Sequence, residues 1–191
     1  TQTAIANFEI GVLFTAVTNS VPSAFWFLSL ILSSSPLISQ IRSEISPIIT
    51  QKSVDGQMIL EMDITAFQKQ TPLLISVWEE TLRTNNASSS VRAVVQDTML
   101  ADKHLLKKGS IVQMPSGVSH KSPQVWGTDA ESFNPRRFLK PSPETRLDAA
   151  AKEKRRVQTQ GFLPFGGGKH LCPGRHFAFT EIISFVTMIV Y

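Results

Sequence analysis

Phe165-Gly166-Gly167-Gly168-Lys169-His170-Leu171-Cys172-Pro173-Gly174 holds the only cysteine of a 191-residue chain, in a glycine-rich loop that runs into an apolar helical segment. A lone cysteine has no internal disulfide partner, so its sulfur serves packing or chemistry. The spacing Phe-x-x-Gly-x-x-x-Cys-x-Gly falls on Phe165, Gly168, Cys172 and Gly174. It suits a sulfur that must meet a flat cofactor along a narrow approach, because glycine turns the backbone through positive φ and puts no Cβ in the way. Metal ligation and the N–H groups of a helix starting near Gly174 would both hold the sulfur as a thiolate. Pro173 has no N–H, so Gly174 and later amides must be the donors. Taken alone, the loop also admits a plainer reading: a small buried thiol beside a turn or a phosphate loop.

Two upstream stretches narrow the choice. Glu80-Thr81-Leu82-Arg83 puts a carboxylate and a guanidinium on one face of a helix. In isolation such a pair is a surface bridge worth less than about 1 kcal/mol. Phe133-Asn134-Pro135-Arg136-Arg137-Phe138 follows it, and then the cysteine loop. In this order and at these spacings the three stretches closely resemble the cytochrome P450 family. The resemblance implies a mostly α-helical fold with small β-sheets. It also implies haem b (iron protoporphyrin IX), with the Cys172 thiolate as iron ligand and Phe165, Gly168 and Gly174 shaping the cofactor side of the loop. Glu80, Arg83 and Arg137 become a buried structural network on the cysteine side of the haem. Arg136 departs from the family, which commonly has glutamate there.

The resemblance extends to the N-terminal segment. Ala16-Val17-Thr18-Asn19-Ser20 takes the place of the family's distal-helix motif Ala-Gly-x-Asp/Glu-Thr. Its continuation through Val21-Pro22-Ser23-Ala24-Phe25-Trp26 is similar to the branch holding sterol and oxysterol hydroxylases, prostacyclin synthase and fungal relatives. Asn19 and Ser20 are the implied catalytic positions. Asparagine cannot shuttle a proton as a carboxyl does, but it can hold a water, and Ser20 can donate a hydrogen bond. Hydroxylases of that branch carry asparagine too. From Ile10 to Gln40 there is no charged residue, which is long enough for a membrane span. Thr15, Thr18, Asn19, Ser20 and Pro22 interrupt the run, so the segment reads as a long buried helix crossing the centre of a domain, loosened at Pro22.

For the haem carboxylates the resemblance points to Arg92 and to His170, which stands where the family usually has arginine. Histidine is shorter and only partly charged at neutral pH. His104, His120 and His176 show no metal-ligand spacing with carboxylates. The chain has 19 Lys and Arg against 15 Asp and Glu, net +4, with no nucleic-acid reader motif or basic stripe with interleaved aromatics. The implied partner is instead an acidic NADPH-dependent flavoprotein reductase, with Lys169, Arg175, Lys121 and Arg136 flanking the cysteine side. The implied activity is insertion of one oxygen atom from O2 into a lipophilic small molecule of sterol, terpenoid or similar type. A haem-thiolate isomerase or dehydratase acting on a peroxide, and a non-catalytic haem-binding or interaction fragment, are the alternatives.

Residues 1–191 are expected to form one partial P450 catalytic domain, from the distal helix to the helix after the cysteine loop, incomplete at both ends and inactive alone. Attachment to the endoplasmic reticulum membrane, facing the cytoplasm, would use a segment absent from this chain. Periodicity and punctuation predict helices from about Ala6 to Leu32 and from Ser34 to Ser46, the second interrupted near Pro36. A polar connector is expected over Ser53–Asp63, and a helix opening at Thr71-Pro72. Strands are expected over Val91–Met99 and Ser110–Met114 with a turn at Lys107-Lys108-Gly109, then a loop from Pro115 to Trp126 with one helical turn. Lys140–Gln160, with its clustered Lys152, Lys154, Arg155 and Arg156, reads as a solvated insertion.

Overall fold

A computed structural model describes residues 1–142 and 144–191. Along the chain come α1 (Gln2–Leu32), α2 (Ser35–Ile45), β1 (Ile49–Val54), β2 (Gln57–Met62), α3 (Phe67–Gln70) and α4 (Pro72–Asn85). Then follow β3 (Ser89–Ala93), β4 (Thr98–Leu100), β5 (His104–Leu106), β6 (Ile111–Pro115), α5 (Ser116–His120), α6 (Pro123–Trp126), α7 (Ala149–Gly161) and α8 (Arg175–Val190). The chain is mostly helical with two-stranded antiparallel sheets β1-β2, β3-β6 and β4-β5. It divides into two compact units. One comprises Thr1–Asn85, Phe133–Arg146 and Pro173–Tyr191; the other comprises Asn86–Ser132 and Leu147–Cys172.

In the first unit, α4 is the central helix. Leu73, Leu74, Val77, Trp78 and Leu82 are buried on it, where it packs against α1 with Phe27 and Ile31 and against α2 with Leu37, Ile41 and Ile45; α8, with Ile182, Ile183, Val186 and Val190 buried, packs against α1 and α2. The Phe27 and Trp78 rings meet edge to face at 5.4 Å, an arrangement favoured by the ring quadrupoles. Glu44 on α2 caps the first turn of α4: its carboxylate accepts from Leu73 N–H at 2.9 Å and Leu74 N–H at 3.0 Å. Pro72 sits at the start of α4, where no N–H is required.

Several sequence expectations change here. The long N-terminal helix forms and continues through Pro22, but only Phe27 and Ile31 are buried on it. Ile5, Phe8, Ile10, Leu13 and Phe14 are each at least 60% exposed. The chain supplies α4 and α8 to cover the C-terminal third of α1, and little to cover the rest. The helix is also long and apolar enough to cross a membrane by length and composition. Pro36 opens α2 rather than interrupting it. The supposed connector over Ser53–Asp63 is part of the β1-β2 hairpin, with Val54 opposite Gln57 and Ile49 opposite Met62. Asp55 and Gly56 at its turn have φ of 53° and 79°, the positive values that a two-residue hairpin turn requires.

In the second unit, β3 pairs with β6, Arg92 lying opposite Val112. The expected strand Val91–Met99 is cut short because the chain leaves that sheet after Ala93 and turns back as the separate β4-β5 hairpin. The expected loop from Pro115 to Trp126 contains α5 and α6, and the charged stretch before the cysteine loop contains α7. Asp148 caps α7, its Oδ1 accepting from Ala151 N–H at 2.7 Å.

Candidate functional site

The ion-pair network lies wholly within the first unit. The helical spacing predicted to pair Glu80 with Arg83 does so: Arg83 Nε donates to Glu80 Oε2 at 2.7 Å and its Nη2 to Oε1 at 2.8 Å. Both side chains are fully buried. Arg137 Nε reaches Glu80 Oε1 at 3.0 Å, and the same oxygen accepts the backbone N–H of Asn134 at 2.9 Å. One carboxylate therefore takes a two-point guanidinium bond, a second guanidinium and a main-chain donor. That degree of satisfaction offsets much of the cost of taking polar groups out of water. Deleting Glu80 would leave two guanidiniums without their counter-ion, the case in which a buried pair is most costly to break. Next to it, Phe138 N–H is held by Ser76 Oγ at 3.1 Å, so the segment Phe133–Phe138 is tied to α4 at both ends.

Arg136, the departure from the family pattern, has its own setting. It is exposed, and its Nη2 donates to Gln40 Oε1 on α2 at 2.6 Å. It also lies near enough to Glu44 to pull that carboxyl's pKa down. Burial of Glu44 outweighs this and the Leu73 and Leu74 amides, and the net shift is upward.

The cysteine loop belongs to the second unit. Gly166 and Gly168 have φ of 80° and 67°, which is the need for glycine that the spacing suggested. A side chain at Gly166 would also meet Ser90 Oγ on β3, while nothing lies within 4 Å of a Cβ at Gly168. Cys172 N–H donates to Phe165 O at 3.0 Å, closing residues 165–172 into a ring. Cys172 is exposed. Phe165 is half-buried, and Lys169 and His170 are exposed. Gly174 is the residue just before α8.

Arg92 shares its strand face with Ser90, two residues away, and so lies on the side of β3 that carries the contact with Gly166. Its Nη1 folds back onto Val91 O at 2.8 Å. On α1, the side chains of the distal motif turn toward their own helix: Asn19 Nδ2 donates to Thr15 O at 2.7 Å, and Thr18 Oγ1 to Phe14 O at 2.8 Å. Asn19 is exposed and Ser20 half-buried.

Sequence reasoning set His120 aside because it has no ligand spacing. The structure gives it a different task. Its ring is fully buried, and Nε2 accepts the N–H of Leu163, two residues before Phe165, at 2.9 Å. Trp126 Nε1 donates to Ser119 O at 2.8 Å, and both rings pack around Phe162. Asn86 Nδ2 donates to Pro164 O at 2.8 Å. A histidine that serves by accepting a backbone N–H has no fixed partner spacing, so no sequence signal marks it.

This geometry fits a flat metal-bearing cofactor: an exposed thiol, a ring of backbone with no Cβ at its glycine corners, and cationic side chains beside it. The family profile described as Cytochrome P450 matches residues 1–191. A cytochrome P450 monooxygenase of Gibberella zeae is 35% identical over 190 residues, covering 97% of this chain and 34% of that protein. The cytochrome P450 monooxygenase nodJ of Hypoxylon pulicicidum is 32% identical over 188 residues, covering 97% of this chain and 36% of the other. The lanosterol 14-alpha demethylase of Candida tropicalis is 28% identical over 204 residues, with 100% and 37% covered. The chain thus spans about a third of the length of the curated relatives it matches. With the cysteine ring, the Glu80 network and a match over its full length, this chain belongs to the cytochrome P450 family.

Proposed function

We propose that the protein carrying this chain is a haem-thiolate monooxygenase. The observation that bears most weight is the exposed Cys172 sulfur on a glycine-cornered ring closed by its own backbone hydrogen bond. When bound through that thiolate, haem b supplies the redox chemistry that places one atom of O2 in a lipophilic substrate. The second oxygen atom leaves as water, balanced by two protons and by two electrons from an NADPH-dependent flavoprotein reductase. Similarity to a sterol demethylase supports a sterol-, terpenoid- or secondary-metabolite-like substrate.

The same reading assigns roles to this chain's residues. Cys172 is the metal ligand. Phe165, Gly168 and Gly174 leave room for the ring system, and Arg92 and His170 are the partners for its carboxylates. Glu80, Arg83 and Arg137 hold α4 to the Phe133–Phe138 segment. Asn19 and Ser20 serve the oxygen side. The Asn19 amide nitrogen is engaged with Thr15 O, so its Oδ1 is the atom that holds a water, and Ser20 is the hydroxyl donor. Membrane association at the endoplasmic reticulum, facing the cytoplasm, is part of the same reading.

The missing carboxyl at position 19 also favours a second reading, rearrangement of a peroxide without a reductase; turnover in the absence of NADPH would identify it. The main reading is tested by the carbon monoxide difference spectrum of the dithionite-reduced full-length protein. A strongly red-shifted Soret band, lost in Cys172→Ser, is expected. Folded protein without that band would retire the haem-thiolate assignment.

A further inference from the structure

Leu163 lies just ahead of the cysteine loop and is fixed at three points. The helix α7 ends at Gly161, so the Leu163 N–H has no partner in a helix, and Pro164 after it offers no donor at all. Its N–H goes instead to His120 Nε2 at 2.9 Å, and its carbonyl accepts the Gly166 N–H at 3.2 Å. Its side chain lies against Gly167, where a Cβ would come within 3.3 Å of Leu163 Cδ2. Phe165 is the next link, its carbonyl taking the Cys172 N–H at 3.0 Å. Two hydrogen bonds and the segment Leu163-Pro164-Phe165 thus join the imidazole to the cysteine backbone.

The imidazole is itself anchored. It ends α5, whose first residue, Ser116, donates its N–H and its Oγ to Ser88 O at 2.8 and 2.9 Å. The ring is fully buried, with that of Phe162 centred 5.6 Å away. Asn86, ahead of β3, donates to Pro164 O at 2.8 Å, so one scaffold grips two consecutive residues. A neutral imidazole that accepts at Nε2 carries its proton on Nδ1, and a side chain of equal bulk without an acceptor would leave the Leu163 N–H facing it unpaired. The geometry points to His120 as a positioning residue for Cys172, an assignment that rests on the haem-thiolate reading above. By fixing Leu163 it keeps the sulfur where a thiolate can ligate; a sulfur released from a metal takes up a proton from water and becomes a thiol.

The test compares haem-loaded full-length protein with His120→Gln, whose amide oxygen falls where Nε2 stood, and His120→Asn, whose oxygen stops one carbon short. Folding of each is checked by thermal melts. The strongly red-shifted carbon monoxide band should persist in wild type and His120→Gln. In His120→Asn it should give way to a less shifted, thiol-type band about tenfold faster on standing, the worth of one buried hydrogen bond. Bands equally durable in all three proteins overturn the assignment, and so does equal loss in both variants, which would make packing of the ring the cause. Hydrogen exchange of wild type, read residue by residue, is a second check that needs no variant. The Leu163 amide should exchange slowly, and exchange at the rate of an unprotected amide overturns the assignment. Absence of the red-shifted band already in wild type overturns the monooxygenase reading and the assignment with it, whereas a wild-type band that His120→Asn leaves unaltered overturns the assignment alone.

Discussion

Glu79 and Glu80 are neighbours on α4 with opposite fates. Glu80 is saturated by Arg83, Arg137 and the Asn134 amide. Glu79 has only the more distant Lys140 pulling its pKa down, and burial pushes it up to about 7. A carboxyl whose folded pKa lies above its unfolded one binds its proton more tightly when folded. Its contribution to stability is complete below about pH 4.5 and disappears as pH rises through about 7. Glutamine at this position is neutral at every pH. Glu79→Gln should therefore match wild type near pH 4.5 and exceed it by roughly 2–3 kcal/mol at pH 8, since each tenfold change in proton affinity is worth about 1.4 kcal/mol. Urea unfolding at the two pH values is the check; an equal difference at both would show that ionisation is not the cause. The Glu80–Arg83 pairing was legible because a three-residue spacing has one geometric meaning on a helix. Nothing in the sequence set Glu79 apart, because its burial depends on packing by distant residues.

At the scale of elements, the contact between α6 and α7 depends on an absent side chain. An alanine at Gly161 gains some helix propensity, about 1 kcal/mol at most and less at a helix end. It also drives its Cβ to 2.8 Å from Val125 Cγ1, and such overpacking costs about 1–3 kcal/mol. Gly161→Ala should thus lower stability by about 1 kcal/mol, and Val125→Ala should restore most of it when combined; additive losses in thermal melts would place the strain elsewhere. The elements that sequence reasoning missed have physical explanations. β1 and β2 are exposed along almost their whole length, so they lack the alternation of a half-buried strand, although Asp55-Gly56 was a usable hairpin signal. The helices α5 and α6 are only one turn each, and Trp126, Phe162 and His120 hold them by contacts far apart in sequence.

Over the whole molecule, the distribution of apolar surface is uneven. Phe8, Ile10, Leu13, Phe14, Val17, Val21 and Phe25 lie along α1 with more than half of each exposed. Uncovered apolar surface of this kind promotes association. The 191 residues produced alone should bind an apolar dye strongly and sediment as oligomers that mild detergent disperses; a monodisperse, dye-negative monomer would show that α1 is covered in solution. The identity of α1 was legible from its uncharged length, but its burial was not, since apolar composition records what a helix could bury and not what is present to cover it. At the cysteine ring the need for glycine was legible at Gly168, which has positive φ, whereas Gly174 has φ of −77° and the hydrogen bond from Cys172 N–H to Phe165 O left no mark in the sequence.

The ring is also hung from two fixed points just before it begins: Leu163 N–H on the His120 imidazole and Pro164 O on the Asn86 amide. With Cys172 N–H returning to Phe165 O, it behaves like a hoop clamped at its hinge rather than a free strand. Closing eight residues into such a hoop carries an entropy cost of its own. Here that ordering belongs to folding, so on the haem-thiolate proposal a cofactor arriving at the sulfur would meet a mould already set and lose less affinity to reorganising the chain.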